Sequence, residues 1–297
     1  MLITACPGQG SQAPGFLDQW ITEVDGFQHQ LEKLSGVCGL DLVSLGTTAD
    51  ESQIKDTAIA QPLIVAASLA AYRTLFQAVE IEGVLGHSVG EFAAAAIAGV
   101  ITDEVALQLV TIRGQAMAKA AAEQPTSMAA ILGGDFDEVL AAINDFGLEV
   151  ANFNGAGQLV AAGTRNQIAA LIAVPPAKAR VIELKVAGAF HTRYMESARS
   201  ELARAVEGIA VSNPMTKLWS NVDGQICTSG KQFVDSLVNQ ISAPVRWDLC
   251  MVNLPTEEFD FVELPPAGAL TGLVKRAVPS ANPIALKAPT DFEKVTK

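Results

Sequence analysis

The residues whose types and spacing could do chemistry begin with Gly86-His87-Ser88-Val89-Gly90. A serine bounded on both sides by glycine is entered from the apolar pair Val84-Leu85 and left through the alanine-rich run 91–98. This is the strand–sharp turn–helix grammar of a nucleophile elbow. The glycines let the backbone crowd at the turn, so the Ser88 hydroxyl stands at its tip. The next amide, that of Val89, then faces the place where an oxyanion would form, at the positive end of the helix. The competing reading is a glycine-bounded turn in which Ser88 only caps the helix.

A serine nucleophile needs a base, and imidazole is the usual one near neutral pH. The chain has three histidines. His87 precedes Ser88 on the elbow, so its side chain should point away from the hydroxyl. His29 falls in the helical stretch 27–34 and reads as a surface residue. His191 follows Gly188-Ala189-Phe190, just before a helix, and elimination leaves it as the base, against the alternative of a structural histidine at a helix start. A third residue stands out by position. In the helix predicted over 102–123, Glu104, Gln108, Thr111, Gln115 and Lys119 share one polar arc at about 100° per residue. Arg113 lies instead among Ala106, Leu109, Val110 and Met117. A guanidinium on an apolar arc needs an anionic partner, because an unpaired buried charge is costly. Two readings stay open: an internal salt bridge, or a clamp that takes a substrate carboxylate through two parallel hydrogen bonds.

The elements that must position these residues alternate between strand and helix, which indicates a mainly parallel sheet. Residues 1–6 read as a buried strand running into Pro7-Gly8-Gln9-Gly10-Ser11-Gln12. Such a loop usually lies at the carboxyl edge of a parallel sheet, although taken alone it reads as a plain turn, and it lacks a phosphate-binding fingerprint. Residues 50–78 read as helical, with Pro62 near the start of a long apolar helix, and 81–85 as the strand feeding the elbow. Between 127 and 186 the order becomes strand 127–132, helix 135–146, strands 148–152 and 158–162, helix 165–173 and strand 180–186. That βαββαβ order is ferredoxin-like and of a normal size for an insertion. Beyond it come a helix to about 206, a strand at 217–220, a helix at 233–241, a strand at 260–264 and a helix at 269–277. The expected architecture is therefore α/β: a large subdomain of residues 1–125 and 192–297 with an inserted small subdomain, 126–191.

Composition narrows the function classes. Of the 297 residues 49% are apolar and 18% charged, which fits a compact globular enzyme rather than a disordered chain. A net charge of −12, with no basic run, argues against nucleic acid or an anionic membrane as partner. The four cysteines show neither a Cys-x-x-Cys pair nor zinc-like spacing, and read as reduced thiols of a cytoplasmic protein. No metal site is expected. The short start before Cys6 is not expected to be a signal segment, and no stretch is expected to be long and apolar enough to span a bilayer.

Taken together, Pro7-Gly8-Gln9-Gly10-Ser11-Gln12, Gly86-His87-Ser88-Val89-Gly90-Glu91, Arg113, Gly188-Ala189-Phe190-His191, Pro244-Val245-Arg246-Trp247 and Ala267-Gly268-x-Leu270-Thr271-Gly272 resemble the bacterial malonyl-CoA:acyl carrier protein transacylase family. The chain also resembles the acyltransferase domains of polyketide and fatty-acid synthases. The resemblance runs over essentially the whole chain. It implies a hydrolase-like large subdomain carrying a ferredoxin-like small one, and transfer of a malonyl group from malonyl-CoA to an acyl carrier protein in fatty-acid biosynthesis, without a cofactor. It implies Ser88 as nucleophile, His191 as general base and acid, the Gln9 and Val89 amides as the oxyanion hole, and Arg113 as the holder of the malonyl carboxylate. It further implies Gln61 as a site-lining residue, and a backbone carbonyl at or near Arg246 as the group orienting the histidine. Phe190, where many free-standing members carry serine, should crowd a methyl branch and so favour malonyl over methylmalonyl.

The family's carrier proteins are acidic, like this chain, so docking must use a local basic patch. Lys178, Arg180, Arg193, Lys275 and Arg276 are the candidates, each alternatively ordinary surface. The chain is expected to act as a monomer. Two rival functions remain: a serine thioesterase or esterase, which predicts a triad acid between serine and histidine in the chain, and a non-catalytic subunit that docks carrier proteins.

Overall fold

A computed structural model describes residues 1–295. Its central sheet contains β1 (Leu2–Cys6), β2 (Gly83–Gly86), β7 (Lys217–Leu218), β8 (Phe259–Glu263) and β9 (Ala281–Ala285), in the order β7-β2-β1-β8-β9. Every pairing in it is parallel. Strands covered by helices on both faces read as continuous apolar runs rather than alternating ones. That is the pattern of β1, where Ile3, Ala5 and Cys6 are all fully buried. The register pairs Cys6 with Gly86, which brings the loop after β1 against the elbow after β2. The His87 amide donates to the Cys6 carbonyl at 3.0 Å.

A second sheet holds β3 (Thr126–Gly133), β4 (Glu149–Gly155), β5 (Gln158–Thr164) and β6 (Ala179–Glu183), in the order β4-β5-β3-β6 with every pair antiparallel. Helices Phe136–Asp145 and Arg165–Ala173 complete the βαββαβ unit. The period of two along β3 decides which face meets what. Ala129 and Ile131 join Val139, Ile143, Ile168 and Leu171 in a core beneath the two helices. Met128 and Ala130 point the other way, into the cleft between the sheets. β4 is also tied to the segment carrying Val245, whose carbonyl accepts from Phe153 and whose amide donates to Ala151, both at 2.9 Å.

Some expectations change in detail. The helical stretch 50–78 is two helices, Glu51–Lys55 and Thr57–Leu75, because Asp56 ends the first and caps the second through the Ala58 amide. Pro62 lies inside the second helix, not at its start. By length and hydropathy alone that 19-residue helix is long and apolar enough to cross a bilayer, contrary to the expectation that no stretch would be. It is instead a core helix, buried continuously from Ala60 to Ala71. β9 had no counterpart in the expected elements, since Asn282-Pro283 breaks its apolar pattern.

Candidate active site

The elbow stands between β2 and helix Gly90–Ile97, and its glycines are required by close approach. A Cβ on Gly90 would lie 2.1 Å from the Cys6 carbonyl oxygen, and one on Gly86 would lie 2.2 Å from the Gly90 carbonyl carbon. Ser88 is forced into left-handed backbone, φ 53°, a conformation that costs a non-glycine residue about 1–3 kcal/mol. Its amide is committed to Asn221 Oδ1 at 2.8 Å. The Val89 and Gln9 amides, by contrast, have no acceptor among the described residues, and both residues line a cleft of about 610 Å³.

His191 enters this cleft from the crossover after β6, also with left-handed backbone at φ 61°. Ser88 Oγ lies 2.7 Å from His191 Nε2, and His191 Nδ1 lies 2.8 Å from the Gln240 carbonyl oxygen. A carbonyl only accepts, so Nδ1 carries the proton and Nε2 is left to accept from the hydroxyl. Burial, with Arg113 adding to it, lowers the His191 pKa to about 3, which keeps the ring neutral and basic at neutral pH.

The histidine's partner corrects an expectation. Its orienting carbonyl belongs to Gln240, not to Arg246. Helix Gly230–Asn239 runs into the short 3₁₀ turn Gln240–Ser242, and carbonyls at a helix end lack their helical acceptor role. Arg246 is occupied elsewhere: its amide donates to Asn221, its guanidinium pairs with Asp248 at 2.8 Å, and it lies 4.5 Å over the Phe153 ring. His87 turns away from the hydroxyl to Asn154 Oδ1 at 3.1 Å, and His29 is exposed on its helix.

Arg113 resolves between its two readings. It is 1% exposed, and no carboxylate lies in salt-bridge range of it among the described residues. Its partners are neutral: Nη1 donates to Gln61 Oε1 at 2.7 Å, and Nη2 to Gln240 Oε1 at 3.0 Å and to Ser88 Oγ at 3.3 Å. Nε has no partner. Burial lowers the guanidinium to about 9, and the nearby Glu91 offsets part of that. The buried cation beside the nucleophile is thus held by two side-chain amides and the Ser88 hydroxyl, all of them neutral.

Three residues escaped the sequence reading: Glu91, Asn221 and Gln240. Glu91 is 1% exposed, accepts from the Asn221 amide at 2.7 Å and from Gln240 Nε2, and burial pushes its carboxyl up to about 8 against the pull of those donors and Arg113. An acid among the alanines of the helix behind the elbow was the available signal. Gln240 and Asn221 gave none.

A parallel sheet with a serine elbow and an imidazole on its hydroxyl, roofed by an antiparallel sheet, defines a serine acyl-transfer fold. The chain belongs to the acyl transferase domain family, whose model matches residues 5–289. A relative from Mycobacterium tuberculosis strain H37Rv, named malonyl CoA-acyl carrier protein transacylase, is 46% identical over 99% of both chains. The crystal structure of MCAT from the same species superposes with a TM-score of 0.94, covering all of both chains. A malonyl-transacylase in complex with its type II PKS acyl-carrier protein matches at 30% identity and a TM-score of 0.89, over 99% of this chain and 98% of the other.

Proposed function

We propose that the chain transfers the malonyl group of malonyl-CoA to the phosphopantetheine thiol of an acyl carrier protein, through a malonyl ester on Ser88, in fatty-acid biosynthesis. In the first half-reaction His191 Nε2 takes the Ser88 proton as Oγ attacks the thioester carbonyl. The oxyanion accepts from the Gln9 and Val89 amides, donors worth roughly 3 kcal/mol each. Collapse expels the CoA sulfur, which receives the proton from His191. In the second half-reaction the carrier thiol gives its proton to His191 and attacks the ester, and Ser88 leaves and is reprotonated. No proton is gained or lost overall.

The observation that carries this reading is Arg113: almost fully buried, with no carboxylate in contact among the described residues, and 3.3 Å from the nucleophile. A malonyl carboxylate would complete it. The same carboxylate would offset the positive charge that helps depress His191, so the substrate that fits the clamp also makes the base stronger. Gln61 holds the other side of the guanidinium. Phe190, 7% exposed on the cleft wall beside His191, leaves little room for an α-methyl branch. We read residues 126–191 as a small subdomain inserted in the hydrolase-like remainder, residues 1–125 and 192–297, and the enzyme as a cytoplasmic monomer acting on malonyl-CoA and carrier protein, with no role for nucleic acid or a membrane.

The thioesterase alternative asks for a triad acid, whereas Nδ1 of His191 rests on a backbone carbonyl. Malonyl-CoA consumption with and without holo carrier protein separates the two. Consumption that depends on the carrier and yields malonyl carrier protein is expected. Equally fast release of free malonate without an acceptor thiol would refute transfer.

A further inference from the structure

Glu91 has no part in the steps above, yet it is buried directly behind the nucleophile turn with both carboxyl oxygens hydrogen-bonded. Its Oε1 accepts from the Asn221 amide at 2.7 Å and its Oε2 from Gln240 Nε2. Asn221 in turn takes the Ser88 amide on Oδ1 and donates Nδ2 to the Gly86 carbonyl, each at 2.8 Å. Gln240 presents Oε1 to Arg113 and its backbone carbonyl to His191. One carboxylate therefore anchors both residues that hold the nucleophile turn, the base and the guanidinium.

We propose that Glu91 is a positioning residue for acyl selection: by fixing which way the Gln240 side-chain amide faces, it presents Arg113 to the substrate carboxylate.

A side-chain amide is nearly symmetric in shape but not in polarity. With Nε2 on the Glu91 carboxylate, Oε1 must face Arg113 Nη2, which it does at 3.0 Å. Reversed, Gln240 would point N–H donors at a guanidinium, and Glu91 would lose one of its own donors. The arrangement also solves a charge problem. A carboxylate in direct contact with Arg113 would balance it but occupy the edge that a malonyl carboxylate needs. An amide between the two keeps the Glu91 carboxyl off that edge and leaves the guanidinium open on the Ser88 side. Glu91 reaches neither the cleft nor the reacting atoms, for Gln240 and Asn221 stand in between.

The inference rests on the malonyl-transfer reading, and the test keeps the two apart. Glu91→Gln places an N–H donor where the carboxylate accepted, which favours the reversed Gln240. Acylation of Ser88 is followed by intact mass for malonyl-CoA and acetyl-CoA in parallel, normalised to serines titrated by a fluorophosphonate. In Glu91→Gln the malonyl-to-acetyl ratio of kcat/KM should fall about tenfold or more, chiefly through KM for malonyl-CoA, as expected for loss of an aligned charged hydrogen bond. A merely structural role lowers titratable serine and both substrates together, leaving the ratio unchanged; that result overturns the proposal. The double variant Glu91→Gln/Gln240→Glu restores donor–acceptor polarity but seats the carboxylate directly against Arg113. It should fold and keep a low malonyl-to-acetyl ratio, and a wild-type ratio in it would also contradict the proposal. If the wild-type protein itself fails to pass malonyl to a carrier thiol, the functional reading falls instead.

Discussion

At the scale of single residues, the site is built from a few side chains whose environments set their chemistry. The guanidinium of Arg113 has only neutral acceptors and a free Nε, so its removal should act on malonyl selection more than on the acyl transfer itself. Arg113→Ala is expected to lower kcat/KM for malonyl-CoA by roughly a hundredfold, the scale of a lost bidentate charged pair, and to affect acetyl-CoA much less. Parallel kinetics with the two thioesters check this; equal losses would contradict the clamp. His191 gives a pH prediction whose sign is fixed by burial. Its pKa is lowered to about 3, so it stays a neutral base as pH falls, and kcat/KM should show no inflection near the ordinary histidine value of about 6.5. The same shift works against stability in acid. Below about pH 6.5 the unfolded chain binds a proton that folded His191 refuses, so the His191 contribution to stability is lost progressively as pH falls toward its folded value. An acid limb of the pH–rate profile centred near 6.5 would contradict the buried, neutral assignment. Much of this scale was legible beforehand. Ser88 showed through its glycines, His191 by elimination, and Arg113 through its place on the wrong arc of an amphipathic helix. Gln240 was not, because a glutamine at a helix end looks like surface until the fold brings His191 and Arg113 onto its two ends.

At the scale of elements, the site is a junction of strand ends. β1 and β2 are parallel and adjacent, and they deliver the Gln9 loop and the Ser88 elbow side by side at their carboxyl ends. That contact leaves no room for a methyl group at Gly90, where a Cβ would sit 2.1 Å from the Cys6 oxygen. Gly90→Ala should therefore destabilise the protein by about 2 kcal/mol or more and misplace the Ser88 hydroxyl, as overpacking against backbone cannot be relieved by a rotamer change. Denaturant unfolding measures the first effect and fluorophosphonate titration the second. A variant as stable and as titratable as wild type would show that the elbow tolerates separation from β1. The strand–helix alternation and the βαββαβ order could be read from period and turn residues alone. The break at Asp56 and the strand β9 could not, because one rests on a cap and the other on pairing with β8 across a proline. The helix Thr57–Leu75 shows why hydropathy by itself misleads: an apolar 19-residue helix is equally the centre of a large core.

At the scale of the whole molecule, the question is how an acidic chain of net charge −12 receives an acidic carrier protein. Of the five basic candidates, Arg193 is already paired with Glu149 at 2.7 Å. Lys178, Arg180 and Lys275 are exposed but are not on the cleft wall, while Arg276 lines it beside Gln158. Arg276→Glu should raise KM for carrier protein about fivefold at low salt, with the difference shrinking as salt screens it, and Lys178→Glu should do neither. Steady-state kinetics across a salt series check this, and equal sensitivity of the two positions would remove Arg276 from the docking face. No sequence pattern singles out Arg276 from the other four, since its cleft contact is Gln158 of β5, distant in the chain.

The most direct test of malonyl transfer is intact-mass analysis of the protein mixed with malonyl-CoA and then chased with holo carrier protein. The expected result is one malonyl group on wild-type protein, none on Ser88→Ala, and its quantitative appearance on the carrier thiol during the chase. An adduct that persists in Ser88→Ala, or one that decays to free malonate at the same rate with or without the carrier, would contradict a malonyl-Ser88 transfer intermediate.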